Sequence, residues 1–187
     1  MIGFLLIGLG NDGDRYLGTR HNVGFAVIDA VAHEYCAPSF SSKFKGRVAA
    51  IKIAQHEILL LKPSTYMNLS GESVVAAASF YKIPADNIIV IHDDIDLDCG
   101  RLKLKIGGGH GGHNGLKSVD QYIGTDYWRL RIGISRHERQ EVSDYVLSPF
   151  TKEQKDIIES VIAGIVKNVP ILLSEQKEQF IQSIKGN

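Results

Sequence analysis

The run from Ile2 to Leu9 is short and almost wholly apolar, and Gly8-Leu9-Gly10-Asn11-Asp12-Gly13 closes it with glycines. Such a run predicts a buried strand that delivers its carboxyl end to a glycine-rich loop. In α/β proteins that end is where ligands bind. The loop and the polar residues after it, Tyr16 and Thr19-Arg20-His21-Asn22, are therefore where an active site is expected.

Gly8, Gly10 and Gly13 also have the spacing of a dinucleotide-binding loop. That reading needs a helix opening among the glycines and an acidic residue closing a second strand about 20 residues on. Here Asp14 to Asn22 is polar and interrupted by Gly18, so the helix cannot begin before about Val23, and Asp29 and Glu34 fall inside it. The match is a decoy.

Strand and helix signals alternate along the rest of the chain. Val23 to Glu34 has helical spacing, and Arg47 to Ile53 and His56 to Leu61 read as a hairpin turning at Ala54 and Gln55. Pro63 to Gly71 is a loop, Ser73 to Tyr81 a helix ending before Pro84, and Ile88 to Ile91 a core strand. A strand at Leu102 to Lys105, a glycine loop, a helix at Leu116 to Ile123 and a strand at Trp128 to Ile134 follow. Lys152 to Ile184 reads as two helical segments divided near Pro170. The 187 residues, 44% of them hydrophobic, suffice for one core. The pattern predicts a single α/β domain over residues 1–187, a twisted mixed β-sheet covered by helices on both faces.

The N-terminus has no basic leader, and no apolar run approaches the roughly 18 residues that span a bilayer. A cytoplasmic protein without a membrane partner is expected. Cys36 and Cys99 lack paired spacing and read as free thiols. Net charge is zero, which alone argues against nucleic acid, but the charge is segregated. Arg101 to Arg139 holds eight Lys and Arg against three acids, whereas Lys82 to Gly100 holds one base against five.

His21, between Arg20 and Asn22, is the candidate base. His92-Asp93-Asp94-Ile95-Asp96 leaves the core strand directly. If that strand neighbours the first, Asp93 can fix the His21 tautomer and favour its protonated form. Ser70 lies outside any strand-elbow-helix frame, so water is the expected nucleophile. A positioned base supplies about 10² to 10⁴ in rate, so oriented donors are needed as well. Asn11, Asn68 and Asn114 lie in loops and offer neutral amides, although Asn114 also suits a helix N-cap.

Two further patterns leave alternatives open. Gly107 to Gly115 is a dense glycine loop before a helix, suited to close backbone approach, and its His110 and His113 with Asp93 or Asp96 form a possible metal set. Arg101, Lys103 and Lys105 alternate on one strand and Arg129 and Arg131 on another. If the strands pair, the basic series form either a sequence-blind phosphate site or salt-bridge partners for the acidic segment. The first of these would also serve a non-catalytic RNA-binding module.

Taken together, Gly8-Leu9-Gly10-Asn11, Tyr16, Thr19 to Phe25, Tyr66-Met67-Asn68-Leu69-Ser70-Gly71, His92-Asp93 and the loop through Asn114-Gly115 resemble bacterial-type peptidyl-tRNA hydrolase, in order from about Ile2 to Phe150. The resemblance implies an enzyme that cleaves the ester between a peptide and the terminal ribose of tRNA, without metal or cofactor. It makes His21 the base and Asp93 its support, with Asn11 testing whether the amino group is acylated. Asn68 and Asn114 would hold the peptide main chain and the tRNA end, and Tyr16 and Tyr66 would line the tRNA-end site. Lys105 and Arg131 would clamp a tRNA phosphate. The partner is then peptidyl-tRNA, met at its acceptor end and phosphate backbone, and a monomer is expected. A mobile lid is expected over His137 to Phe150. Asp12 stands where the family usually has proline, as do changes at Ser135-Arg136-His137 and Leu97-Asp98-Cys99-Gly100.

Overall fold

The computed structural model describes residues 1–185. Seven strands form one mixed sheet: β1 (Ile2–Gly8), β2 (Ser41–Lys43), β3 (Gly46–Ile53), β4 (His56–Pro63), β5 (Ile88–Asp94), β6 (Leu102–Ile106) and β7 (Trp128–Gly133), in the order β2-β3-β4-β1-β5-β7-β6. The inner strands β4, β1, β5 and β7 run parallel, and β3 and β6 are added antiparallel on either side.

Six helices cover the sheet among the described residues: α1 (Val23–Glu34), α2 (Ser70–Tyr81), α3 (Asn114–Ile123), α4 (Val142–Val146), α5 (Lys152–Leu172) and α6 (Phe180–Lys185). Strand alternation divides the core in two. Phe4 and Leu6 of β1 join Val27 of α1 and Ile165 of α5 on one face, while Leu5 and Ile7 join Val74 of α2 and Val119 of α3 on the other. Burial on both faces is why β1 and the Ile88 to Ile91 part of β5 are almost wholly apolar. No helix is long and apolar enough to cross a membrane among the described residues.

Close packing requires glycine at Gly8 and Gly24. A side chain on Gly8 would stand 2.2 Å from the carbonyl oxygen of Gly24, and one on Gly24 would stand 2.5 Å from that of Ile91. The start of α1 is thereby pressed against the carboxyl ends of β1 and β5, the opposite use of glycine from a nucleotide cradle.

Three expectations need correction. The second helix opens at Ser70, because the turn at Met67–Leu69 feeds straight into it. His113, not Asn114, caps α3: its Nδ1 accepts from the amides of Gly115 and Leu116, and Asn114 is the first helical residue. Pro170 does not divide the last helices, since α5 continues through it to Leu172. Proline removes the amide that would bond the carbonyl four residues back. The Tyr35 hydroxyl donates to that carbonyl, Val166 O, at 3.2 Å instead. The break falls after Leu173.

Candidate active site

β1 and β5 are parallel neighbours, with Gly8 in register with Ile91, so the loops that follow them emerge together. Arg20–Asn22 forms one 3-10 turn ahead of α1, and at three residues per turn its side chains diverge. Each holds a different part of the site. His21 reaches the end of β5, Asn22 reaches back to the Asn11 loop, and Arg20 reaches the segment around α4.

His21 Nδ1 donates to Asp93 Oδ1 at 2.9 Å, with the two side chains 12% and 3% exposed. Because Nδ1 carries the proton, Nε2 is left as the lone pair. Burial alone would lower the His21 pKa, but the charge and hydrogen bond of Asp93 outweigh it and raise the value above 6.5. Burial opposes ionisation of Asp93 too, yet His21 and His113 hold its carboxyl well below the usual range.

His113 is the second donor to that oxygen. Its Nδ1 is occupied as an acceptor by the amides at the start of α3, so Nε2 carries the proton, which it gives to Asp93 Oδ1 at 3.0 Å. His92 lies alongside: Nδ1 donates to the Asp93 carbonyl at 2.7 Å. Burial first and His113 second push its pKa down to about 3, so it stays neutral.

Asn22 fixes the other polar loop by a reciprocal pair. Its Oδ1 accepts from the Asn11 amide at 2.8 Å and its Nδ2 donates to the Asn11 carbonyl at 2.9 Å. The side-chain amides of Asn11, Asn68 and Asn114 are uncommitted among the described residues. His21, Asp93, Asn114 and Arg131 line a common cavity of about 380 Å³, whereas Asn11 lines a neighbouring one of about 220 Å³. Tyr66 is 77% exposed. Tyr16 is half-buried under the Arg15 guanidinium, 4.6 Å from its ring centre.

Arg20, 5% exposed, has no carboxylate partner among the described residues. It donates to the Tyr145 and Ser148 carbonyls, to Ser148 Oγ and to Gln154 Oε1, and lies 4.0 Å over the Tyr145 ring. Val142 and Val146 of α4 thus form a cavity wall anchored beside His21. Residues 136–144 between that anchor and β7 are exposed.

The basic strands do pair: Lys103 faces Arg131 and Lys105 faces Arg129. The basic side chains differ in their partners. Arg129 is 1% exposed and structural, bonded to Asp120 at 2.7 Å and to the Gly109 carbonyl at 3.1 Å. Lys105 has no anionic partner among the described residues. Burial, then Arg131 and Arg129, lower its pKa, and its amine sits where a side chain on Gly108 would stand.

His110 remains on the exposed loop, its Nδ1 accepting from the Gly112 amide, and does not join the cluster. His21, Asp93 and His113 have metal-ligand atoms within 4.8 Å of one another. Hydrogen bonds account for the arrangement, because both imidazoles present N–H groups to one carboxylate oxygen. Sequence reasoning weighed His113 only as a metal ligand and did not assign roles to Arg20 or Asn22. The position of His113 directly before a helix was the available signal for its cap.

A sheet with a parallel centre and a histidine–carboxylate pair at its strand ends defines an α/β protein with a buried polar centre at the carboxyl ends of its strands. Within that class, the chain belongs to the peptidyl-tRNA hydrolase family, whose model matches residues 5–187. It is 46% identical over 182 residues to the peptidyl-tRNA hydrolase of Rickettsia canadensis, covering 96% of this chain and 98% of that protein. The corresponding Rickettsia bellii protein is 48% identical over 179 residues, covering 94% and 96%. The crystal structure of peptidyl-tRNA hydrolase from Acinetobacter baumannii superposes with a TM-score of 0.93 at 38% identity, covering 97% of this chain and 94% of that one.

Proposed function

We propose that this protein hydrolyses the ester joining a peptide to the terminal ribose of tRNA, returning free tRNA to translation. Family membership supports the reaction, and the buried His21–Asp93 hydrogen bond is the observation that carries the mechanism. His21 Nε2 takes a proton from water as the oxygen attacks the ester carbonyl. Collapse of the tetrahedral intermediate expels the ribose oxygen, which recovers that proton from the imidazolium. Asp93 stabilises the imidazolium between the two steps.

Neutral amides suit the remaining tasks because they add no charge beside the base. Asn11 recognises the acylated amino group, and Asn68 and Asn114 hold the peptide main chain and the tRNA end. Tyr16 and Tyr66 offer rings to the unpaired acceptor end. Lys105 and Arg131 take a backbone phosphate, which supplies affinity without sequence reading. In this reading the whole chain acts as one monomeric cytoplasmic domain, and no step uses a metal or cofactor.

Release of N-acetyl-amino acid from its tRNA ester tests the proposal, with unblocked aminoacyl-tRNA alongside. Rapid cleavage of the blocked ester only, with the preference lost in Asn11→Ala, is expected. Salt-sensitive tRNA binding without product would instead mark a non-catalytic RNA-binding module.

A further inference from the structure

Arg131 is not an unattached cation. Its Nε donates to Asp94 Oδ2 at 2.6 Å, with the side chains 21% and 11% exposed. The other Asp94 oxygen accepts from the Asp96 amide at 2.9 Å, and the Asp94 carbonyl accepts from the Ile134 amide at 3.0 Å. Asp94 thus uses both carboxylate oxygens and its carbonyl as a bracket at the end of β5. Holding Arg131 by Nε leaves both Nη groups without a partner among the described residues, and those groups carry the donors for one phosphate. Lys103 faces Arg131 across the strands, and Arg131 also acts electrostatically on Lys105.

We propose that Asp94 is a positioning residue for tRNA: it tethers Arg131 so that the Nη groups and the Lys105 ammonium converge on a single backbone phosphate. The inference rests on the assignment of Lys105 and Arg131 to that phosphate. Its sign separates it from plain electrostatics. A carboxylate near a phosphate site repels the phosphate, so removing its charge should tighten binding through the field alone. Losing a tether has the opposite effect, because an unordered arginine must be immobilised when tRNA binds.

Asp96 supplies the control. It pairs with Arg136 at 3.0 Å, but both side chains are more than half exposed. The KM for N-acetyl-aminoacyl-tRNA and its salt dependence would be measured for the wild type, Asp94→Asn, Asp96→Asn, Arg131→Gln and the Asp94→Asn/Arg131→Gln double variant. Asp94→Asn is expected to raise KM about fivefold to tenfold with kcat nearly unchanged and a salt slope reduced by about one. Asp96→Asn is expected to lower KM or leave it alone. In the Arg131→Gln background the Asp94 effect should vanish. Unchanged or tighter binding by Asp94→Asn, or a full additional loss on top of Arg131→Gln, overturns the proposal. If Arg131→Gln itself leaves KM and salt slope unchanged, the phosphate assignment falls and the positioning role with it.

Discussion

Asp93 Oδ1 accepts from His113 Nε2 at 3.0 Å, and the amides that occupy His113 Nδ1 leave no other nitrogen to carry that proton. The carboxylate bonded to His21 is thereby shared with a residue fixed by the N-terminus of α3. Removing the second donor should let the Asp93 charge act on His21 alone. His113→Ala is predicted to move the acid limb of kcat/KM to higher pH and, through the lost cap, to destabilise the fold by about 1 kcal/mol. An unmoved limb in a folded variant would contradict the sharing.

The pH dependence follows from the directions of the two shifts. The folded pKa of His21 is raised above 6.5, so its contribution to stability is complete below that value and lost as pH rises through the folded pKa. Asp93 is depressed, so its contribution is present above its ordinary value of 3.8 and lost as pH falls through the folded pKa. Both contributions coincide between pH 3.8 and 6.5. Asp93→Asn should flatten the decline in Tm above pH 6.5, move the acid limb of activity below that value, and lower kcat. A wild-type Tm profile in the variant would argue against the coupling.

Arg20 joins the turn that carries His21 to the cavity wall through charged hydrogen bonds that lysine cannot reproduce. Arg20→Lys is predicted to lose about 2 kcal/mol of stability and to raise amide hydrogen exchange across residues 142–148. Unchanged exchange there would show that the wall is held by other contacts.

Tyr35 and Pro170 offer a cycle away from the site. Tyr35→Phe should cost about 1 kcal/mol because the Val166 carbonyl loses its donor. In a Pro170→Ala background the helix regains an amide for that carbonyl, so the same change should cost much less. Equal costs in both backgrounds would contradict the compensation.

The strands β1 and β5, the β3–β4 hairpin and the onset of α1 were legible because burial and turn chemistry act over a few neighbouring residues. His21 and Asp93 were legible as strand-end polar residues, given that β1 and β5 proved adjacent. What sequence spacing could not show were partnerships set by tertiary packing. Tyr35 rescues a carbonyl 131 residues away, so Pro170 read as a helix end. Arg129 and Arg131 share one alternation, yet one is sealed against Asp120 and the other tethered to Asp94. His113 looked like a metal ligand because its residue type was visible and its helix-fixed tautomer was not.

Single-turnover cleavage of N-acetyl-aminoacyl-tRNA by the wild type and His21→Ala, both in chelator and with tRNA affinity measured in parallel, tests the assignment of His21 as a metal-independent base. Full wild-type cleavage, a loss of about 10² to 10⁴ in the variant, and nearly equal affinities are expected. Rapid cleavage by His21→Ala, or loss of wild-type activity on chelation, would contradict it.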